Sequence, residues 1–192
     1  MLYAWLRVLL RIFYRIYFRL EPIGLHNIPE TGPVILCSNH KSNWDPPTVA
    51  VSLQRNVRFM AKAELFGVPI FGSLIRKLGA YPVKRGGISK ESVKLTLQLL
   101  EQGQVLLIFP EGTRKNTSGI GKRGAATFAM KANAVIVPVA VAGDYKPFRK
   151  IKVVYGEPIQ FEENGKATPE QLEEATEEIM RRIRALEQSA AS

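Results

Sequence analysis

Short apolar runs alternate along the chain with longer amphipathic segments. Runs of about four to eight apolar residues are typical of buried strands, and apolar positions that recur roughly every three or four residues are typical of helices. The strand-like runs cover 33–38, 57–61, 80–83, 105–109, 135–141 and 151–155. The helix-like segments cover 46–55, 90–102, 125–132 and 169–188. This alternation predicts an α/β fold with a mostly parallel mixed sheet flanked by helices.

Polar residues before three of the predicted helices indicate where those helices begin. Asp45 is the expected N-cap of the first, with Pro46 in its first turn. Ser89 has the same expected role for the second helix. Thr168 and Gln171 have the spacing of a capping box, which predicts the start of the last helix.

The first twenty residues form a separate amphipathic segment. They are almost entirely apolar except at every fourth position, which is occupied by Arg7, Arg11, Arg15 and Arg19. On a helix this spacing places the arginines along one stripe beside a wide apolar face. Two central arginines cancel the roughly −5 kcal/mol that the apolar side chains contribute to insertion, so a membrane span is not expected. The pattern favours an interfacial helix, and the alternative is a helix packed on its own domain.

The expected organisation is therefore an N-terminal membrane-interface helix over 1–21, followed by one domain over 22–192. We expect a peripheral or monotopic protein at the cytoplasmic face of the cell membrane. Removal of residues 1–20 is expected to release the protein from vesicles without abolishing its chemistry. A second apolar segment, 65–75, is broken by glycine and proline. It fits a core or lid loop as well as an acyl-chain lining or a lipid contact.

The charge balance indicates an anionic partner. The 192 residues include 27 Lys/Arg and 17 Asp/Glu, which gives a net charge of +10, and 46% of the residues are hydrophobic. The apolar share excludes a disordered chain, and the single cysteine, Cys37, excludes an internal disulfide. The basic excess lies in residues 1–156, with 23 Lys/Arg against 8 Asp/Glu. A basic excess of this size favours binding to phospholipid, a phosphorylated metabolite or nucleic acid.

His40 and Asp45 are the first candidate catalytic pair. His40 follows the first predicted strand, where α/β folds place functional loops, and Asp45 opens the next predicted helix. A carboxylate that accepts from one imidazole nitrogen fixes the tautomer and leaves the other nitrogen as a general base. The alternative is that Asp45 only caps its helix and that His40 is an ordinary loop residue.

Two further loops carry candidate binding residues. Residues 109–114 (FPEGTR) follow the most apolar predicted strand, and they suit an anionic headgroup or a solvated surface turn. Residues 119–124 match G-x-G-x-x-G, but nine residues separate them from the preceding strand. The dinucleotide fingerprint follows its strand directly, so dinucleotide binding is not predicted. The sequence contains no Walker A, G-x-S-x-G or H-E-x-x-H motif and no Cys/His cluster.

Four motifs, taken together, resemble the signatures of the glycerolipid acyltransferases. Asn39-His40, with Asp45 five residues after the histidine, resembles the first signature of that family. Gly79 and Arg85, six residues apart in GAYPVKR, resemble the second signature. The combination of two such spacings is more specific than either motif alone.

The other two motifs extend the resemblance through the middle of the chain. Residues 109–114 match the third signature, and the apolar run 137–139 with its central proline is similar to the fourth. All four occur in family order between residues 39 and 140, and the flanking sequence is also similar. The chain is therefore identified as a member of the glycerolipid acyltransferase family.

The resemblance implies transfer of a fatty acyl group from acyl-CoA or acyl-carrier protein to the sn-2 hydroxyl of 1-acyl-glycerol-3-phosphate, forming phosphatidate. It implies that His40 is the general base, oriented by Asp45, and that the acceptor attacks the thioester directly. Substrate binding is assigned by the same resemblance to Gly79, Arg85, Glu111, Gly112, Thr113 and Arg114. No metal or cofactor is expected. The expected partners are lysophosphatidate, the acyl donor and the phospholipid surface, without nucleic acid.

Other functions remain open from the sequence. The acceptor could be another lysolipid or glycerol-3-phosphate. A basic nucleic-acid-binding domain would explain the charge but not the His40–Asp45 pair, and the chain lacks basic and aromatic residues interleaved on a strand. A non-catalytic membrane adaptor that kept the fold is a third alternative, against which the intact His40 and Asp45 argue.

Overall fold

The computed structural model describes residues 2–83, 89–110, 120–161 and 167–191. In this part of the chain the strands are β1 (Glu21–Ile23), β2 (Val34–Ser38), β3 (Val57–Lys62), β4 (Ala80–Val83), β5 (Val105–Ile108), β6 (Val135–Ala142) and β7 (Lys152–Tyr155). The helices are α1 (Leu2–Tyr17), α2 (Asp45–Val51), α3 (Phe71–Lys77), α4 (Lys90–Glu101), α5 (Ile120–Ala132) and α6 (Pro169–Ala191). Short 3-10 helices cover Leu25–Asn27 and Ala63–Gly67.

The strands form one mixed sheet in the order β1-β7-β6-β2-β5-β3-β4. β2 is parallel to β5 and β6, and β3 is parallel to β4 and β5. β7 is antiparallel to β6 and pairs in parallel with β1. The predicted α/β fold with a mostly parallel sheet is confirmed. The carboxyl ends of β2 to β6 meet at one edge, called the carboxyl edge below, where such folds place functional loops.

Helices cover both faces of the sheet and create two cores. On one face, Tyr14 of α1 packs with Leu36 of β2 in a buried cluster that also includes α2. On the other face, Leu100 of α4 and Ile179 of α6 pack with Ile35 of β2 and with α5. Successive residues of β2 thus point into opposite cores, as the period of two in a strand requires. β2 is therefore fixed from both sides, and its carboxyl end is a rigid base for a functional loop.

Element boundaries differ from the predicted ones where tertiary contacts override local preference. α2 ends at Val51 rather than at Arg55. Arg55 lies beyond the helix, and its guanidinium donates to the carbonyl oxygens of Pro29, Gly32 and Gly103. α5 begins at 120 rather than at 125, so part of the predicted glycine-rich loop is helical. The segment 65–75 contains most of a 3-10 helix and of α3. β1, with three residues, was too short to be predicted.

Two of the three predicted helix caps are confirmed. The Ser89 hydroxyl oxygen accepts a hydrogen bond from the Ser92 backbone N–H at 3.2 Å. In the capping box, Thr168 Oγ1 accepts from the Gln171 N–H at 3.3 Å, and Gln171 Oε1 accepts from the Thr168 N–H at 2.9 Å. These reciprocal bonds satisfy backbone donors that a helix start leaves without partners.

The second half of α1 packs on the domain that follows it. Tyr14 and Phe18 are buried in the first core. The Arg11 guanidinium donates to the carbonyl oxygens of Val51 (3.1 Å) and Leu53 (3.2 Å), at the end of α2 where helical carbonyl groups lack partners. Arg11 therefore does not face lipid headgroups. Deletion of residues 1–20 would remove the core side chains Tyr14 and Phe18, so a truncated protein is expected to lose stability, in contrast to the sequence-based expectation that it keeps its chemistry.

The opposite side of α1 is apolar and exposed. Five large hydrophobic side chains lie there at helical spacing: Trp5, Val8, Leu9, Ile12 and Ile16. In an isolated soluble domain, an apolar stripe of this width is unusual and marks an interaction surface. In the part of the chain that the structure describes, none of the helices has both the length and the apolarity needed to cross a membrane.

Candidate active site

His40 lies two residues beyond the carboxyl end of β2, on the carboxyl edge. Its Nδ1 is 2.9 Å from Oδ2 of Asp45, so the pair predicted from the sequence is formed. The His40 side chain is 22% exposed, whereas the Asp45 side chain is fully buried. An ionised carboxylate only accepts hydrogen bonds, so Nδ1 carries the proton and Nε2 is left as the basic nitrogen. This is the arrangement that a histidine general base requires.

Asp45 is not the N-cap of α2. Trp44 occupies that position, and Asp45 is the first residue of the helix. Its Oδ2 accepts from the backbone N–H groups of Lys41 (2.6 Å) and Ser42 (2.7 Å), which turns the carboxylate back towards the loop. The predicted capping role is therefore wrong, because the loop amides and His40 use the carboxylate instead of the amides of α2.

The environment of Asp45 keeps it ionised. Burial raises the pKa of this carboxyl group, but hydrogen bonds from His40, Ser42, Tyr145 and Lys41 outweigh the burial and hold the pKa below its usual value. Hydrogen bonds that are made to the charged form of an acid stabilise that form. Asp45 thus supplies a fixed negative charge beside His40, which stabilises the imidazolium when the base takes up a proton.

Asn39 fixes the backbone of His40. Its side-chain amide donates to the Val141 carbonyl oxygen at 3.0 Å, and its amide oxygen accepts from the Val141 N–H at 2.8 Å. The side chain thereby continues the β2–β6 pairing, which ends at Ser38 and Val139. Asn39 is 3% exposed, so both bonds lie in a dry environment where they are strong. The sequence placed Asn39 in a motif without indicating this role.

Phe109 covers one face of the His40 ring. The two rings are stacked, with centroids 4.1 Å apart and an interplanar angle of 24°. Phe109 follows β5, which is the neighbour of β2, so adjacent strands bring the two side chains together. A stacked aromatic ring restricts the orientation of the imidazole and excludes water from one of its faces. Phe109 also leads directly through Pro110 to residues 111–114.

The structure adds Tyr145, which the sequence analysis did not identify. Its hydroxyl donates to Oδ1 of Asp45 at 2.7 Å and lies 3.0 Å from Oγ1 of Thr48. Tyr145 stands three residues beyond the end of β6, so its position at the carboxyl edge follows from the topology. The sequence showed only a tyrosine in the loop after a predicted strand, and it did not show that this strand lies beside β2. Spacing in the sequence could not show the contact, because 100 residues separate the partners.

Gly79 lies at the other end of the sheet. It immediately precedes β4, whereas His40 follows β2, and the two strands run in the same direction. Gly79 has φ +96°, and a Cβ atom there would lie 2.3 Å from the Val57 carbonyl oxygen. The geometry favours a structural role for Gly79 over the predicted role in substrate binding, and the Gly79→Ala variant tests the two. In the motif GAYPVKR, Gly79 precedes β4 and Val83 ends it, while the last two residues lie outside the described residues.

Gly79→Ala is expected to destabilise the protein without changing the KM of either substrate. A side chain at positive φ costs about 1–3 kcal/mol, and the overlap with Val57 adds to this cost. Urea unfolding and steady-state kinetics measure the two effects. Gly32→Ala is the matched control, because Gly32 also has positive φ (+76°) but has open space around it. A raised KM with unchanged stability would restore Gly79 to the binding site.

Five candidate binding residues lie outside the described residues: Arg85, Glu111, Gly112, Thr113 and Arg114. Of the G-x-G-x-x-G match, Gly119 also lies outside them, while Gly121 and Gly124 are in α5. The described ranges contain no group of three His, Cys, Asp or Glu residues arranged to hold a metal ion.

The described geometry places one base at the carboxyl edge. His40, its ionised partner Asp45 and the stacked Phe109 form a histidine site whose free nitrogen is available for proton transfer. A serine or cysteine nucleophile is not among the described partners of His40. The site can therefore remove a proton from a bound hydroxyl group, provided that the substrate itself supplies the nucleophile.

Comparison with known proteins gives this geometry a family context. Residues 19–142 match the sequence pattern of the acyltransferase family. The chain is 36% identical over 170 residues to a 1-acyl-sn-glycerol-3-phosphate acyltransferase of Bacillus subtilis (strain 168), and the match covers 84% of each chain. It is 33% identical over 135 residues to a chloroplastic 1-acyl-sn-glycerol-3-phosphate acyltransferase of Arabidopsis thaliana, covering 68% of this chain and 38% of the relative.

The fold is similar to a solved structure as well. The crystal structure of the 1-acyl-sn-glycerophosphate acyltransferase PlsC from Thermotoga maritima superposes with a TM-score of 0.70 and covers 96% of this chain and 80% of its own. The two sequences are 23% identical, so this likeness concerns the fold. The family match includes His40 and Asp45 and ends before Tyr145.

Proposed function

The chain belongs to the acyltransferase family, and from this premise we propose that it transfers a fatty acyl group from a thioester donor to the sn-2 hydroxyl of 1-acyl-glycerol-3-phosphate, forming phosphatidate. The observation that carries the proposal is the 2.9 Å contact between His40 Nδ1 and Asp45 Oδ2 at the carboxyl edge. The relatives named above supply the substrate class, because they are 1-acyl-sn-glycerol-3-phosphate acyltransferases.

In the proposed reaction, His40 acts on the acceptor. The sn-2 hydroxyl gives its proton to Nε2 of His40, and the acceptor oxygen forms a bond to the carbonyl carbon of the thioester. Asp45 stabilises the imidazolium that results, because its charge is fixed 2.9 Å from Nδ1. General-base catalysis of this kind contributes about 10²- to 10⁴-fold to the rate.

The second half of the reaction releases the thiol. The tetrahedral intermediate collapses, the C–S bond breaks, and the leaving thiolate takes the proton from the His40 imidazolium. The products are phosphatidate and the free thiol of CoA or of acyl-carrier protein. Thioester-to-ester transfer is downhill and the base is a side chain, so we propose that the reaction needs no metal and no cofactor beyond the donor.

We assign the acceptor phosphate to Arg85 and to the segment Glu111–Arg114, as the family resemblance implies. The support is their position along the chain, because Arg85 is the second residue after β4 and Glu111 is the third residue after β5. Both strands end at the carboxyl edge, together with β2 and His40. Arginine binds phosphate with two parallel N–H donors, which suits recognition of glycerol phosphate.

An acceptor and donor panel tests the proposed function. Purified protein in detergent is given labelled acyl-CoA or acyl-carrier protein with lysophosphatidate, lysophosphatidylcholine, lysophosphatidylglycerol or glycerol-3-phosphate. We expect lysophosphatidate to have the highest kcat/KM. A higher kcat/KM with another acceptor would support acyl transfer but would contradict lysophosphatidate as the preferred acceptor. Absence of transfer with every combination would contradict the proposed function.

We further propose that α1 attaches the protein to the cytoplasmic face of the cell membrane as a peripheral or monotopic protein. The support is its exposed apolar face, while the opposite side holds α1 on the domain through Tyr14, Phe18 and Arg11. Arg15 and Arg19 are exposed and add a basic contribution. A helix with an apolar face and flanking arginines is typical of attachment in the interface.

Changing Leu9, Ile12 and Ile16 together to Gln should weaken vesicle binding at least about 100-fold, since each buried side chain of this size contributes roughly 1.5–3 kcal/mol. Co-sedimentation with anionic vesicles at low and high salt measures the effect. The loss should persist in high salt, because salt screens only the basic contribution.

Leu95→Gln on α4 is the matched control, because Leu95 is also an exposed leucine but lies on another helix. It should bind vesicles like the wild type. Unchanged binding of the triple variant would contradict attachment through α1. It would instead point to the exposed apolar residues of the segment 65–75.

A further inference from the structure

We propose that Tyr145 is a positioning residue of the active site, whose hydroxyl holds the Asp45 carboxylate in the orientation that serves His40. The inference rests on the proposed function, because it assigns Asp45 and His40 to proton transfer. It concerns a residue beyond the family match, which ends at 142. Tyr145 does not face the substrate in this proposal; it acts through Asp45.

The two oxygens of Asp45 have different partners. Oδ2 accepts from His40 Nδ1 and from the loop amides of Lys41 and Ser42. Oδ1 accepts from the Tyr145 hydroxyl at 2.7 Å. Donors on both oxygens prevent rotation of the carboxylate about its Cβ–Cγ bond. Without Tyr145, the plane of the carboxylate is fixed from one side only, and its alignment with the imidazole loosens.

Tyr145 is itself held from several sides. Its ring meets the Phe18 ring edge to face, with centroids 5.5 Å apart and an interplanar angle of 87°. Its hydroxyl lies 3.0 Å from Thr48 Oγ1, and the Thr48 hydroxyl donates to the Trp44 carbonyl oxygen at 2.6 Å. An ionised carboxylate has no proton to donate, so the proton in the 2.7 Å contact between Tyr145 and Asp45 belongs to the tyrosine hydroxyl. The tyrosine therefore has a fixed ring and a hydroxyl that donates to Asp45, with Thr48 Oγ1 in reach as a second acceptor.

In the part of the chain that the structure describes, the titratable groups that face Asp45 come from three elements. His40 lies on the loop after β2, Tyr145 on the loop after β6, and Tyr14 on α1. The ammonium group of Lys41 pairs with Glu187 of α6. Burial raises the pKa of Tyr145 and of Tyr14, so both remain neutral donors at ordinary pH. Tyr145 therefore acts on Asp45 only as a hydrogen-bond donor.

Tyr145→Phe removes the donor and keeps the ring. We expect kcat to fall about 10- to 100-fold, which corresponds to the loss of one hydrogen bond to a charged group. KM for both substrates should stay within about twofold, because no substrate contact is lost. The acid limb of the kcat–pH profile should move to higher pH, since the Asp45 carboxylate loses a donor to its charged form and therefore holds a proton more tightly.

Tyr155→Phe is the matched control. Tyr155 lies in the same core, and its hydroxyl donates to the Val49 carbonyl oxygen of α2 at 2.6 Å, without contact to Asp45. Both variants lose one buried hydroxyl, so both should lose stability in urea unfolding. Only Tyr145→Phe should change kcat and the acid limb. Equal kinetic effects in the two variants would show a structural role and overturn the proposal.

Site-specific 3-fluorotyrosine at position 145 provides a second test that does not remove the hydroxyl. The more acidic hydroxyl is a stronger donor, so the acid limb should move to lower pH, opposite to the effect of Tyr145→Phe. A limb that stays in place in both proteins would contradict the proposal. This variant also remains informative if Tyr145→Phe does not fold.

NMR of the His40 imidazole tests the positioning role of Tyr145 independently of the proposed acyl transfer. The chain contains two histidines, so the His40 signals are assigned with a His26→Gln protein. We expect the His40 Nδ1–H resonance to move or broaden in Tyr145→Phe and to stay in place in Tyr155→Phe, with no substrate present. An unchanged resonance would overturn the positioning role even if the enzyme is active. A changed resonance in a protein inactive towards every lysolipid would support it and refute the proposed acceptor.

Discussion

Replacement of His40 by alanine should reduce kcat about 10³- to 10⁴-fold while substrate binding persists, because the variant lacks the base that takes the acceptor proton. The estimate lies at the upper end for general bases, since the described geometry offers Nε2 of His40 as the acceptor of that proton. Steady-state kinetics with lysophosphatidate and acyl-CoA measure kcat, and equilibrium binding of the acceptor measures affinity. The acceptor Kd should change little, because the phosphate is assigned to other residues.

His26→Ala is the matched control for this variant. His26 is the other histidine of the chain, is exposed, and lies in the 3-10 helix Leu25–Asn27. It should retain the activity of the wild type. A His40→Ala protein with more than a tenth of the wild-type turnover would exclude His40 as the base.

Asp45→Asn should give a folded protein with kcat lowered by about 10³- to 10⁴-fold, as expected when the charged partner of a catalytic histidine becomes neutral. The amide oxygen can take the place of Oδ2 and accept from the amides of Lys41 and Ser42, so the loop is kept. The Tyr145 hydroxyl can then turn to Thr48 Oγ1, 3.0 Å away. The variant lacks only the charge that stabilises the imidazolium.

Asp144→Asn is the matched control, because Asp144 is an exposed acid that precedes Tyr145 and pairs only loosely with Lys146, at 3.8 Å. It should keep wild-type kinetics. Thermal unfolding and kinetics of the two variants are measured in parallel. Together they distinguish a loss of activity caused by the missing Asp45 charge from one caused by a loss of folded protein. Full activity of Asp45→Asn would show that Asp45 organises the loop without contributing its charge.

The sequence predicted the parts of the site that are local in the chain. His40 and Asp45 are five residues apart, and a strand followed by a loop and a helix brings such residues together. Tyr145 and Asn39 reach their partners across 100 and 102 residues, and these contacts depend on β6 lying beside β2. Strand order does not follow from periodicity, so neither contact could be predicted.

Gly79 and Arg11 belong to motifs that the sequence identified, but the sequence did not show which part of the fold each residue faces. The motif that begins at Gly79 includes the whole of β4, so Gly79 lies at the opposite end of that strand from the carboxyl edge. Arg11 belongs to a regular arginine stripe, yet it binds the carbonyl groups at the end of α2. The pattern identified an amphipathic helix, but only packing shows that its apolar face is the exposed one and that one arginine faces the domain.

The central claim is acyl transfer to lysophosphatidate by His40, and product analysis tests it most directly. Purified wild-type protein and His40→Ala protein, prepared in the same way, are incubated with lysophosphatidate and an acyl-CoA of distinct chain length. Mass spectrometry then identifies the lipid formed and the position of the new chain. The account predicts phosphatidate with the donor chain at sn-2 from the wild type, and only background amounts from the variant. Equal amounts of phosphatidate from both proteins, or none from the wild type with any donor, would contradict it.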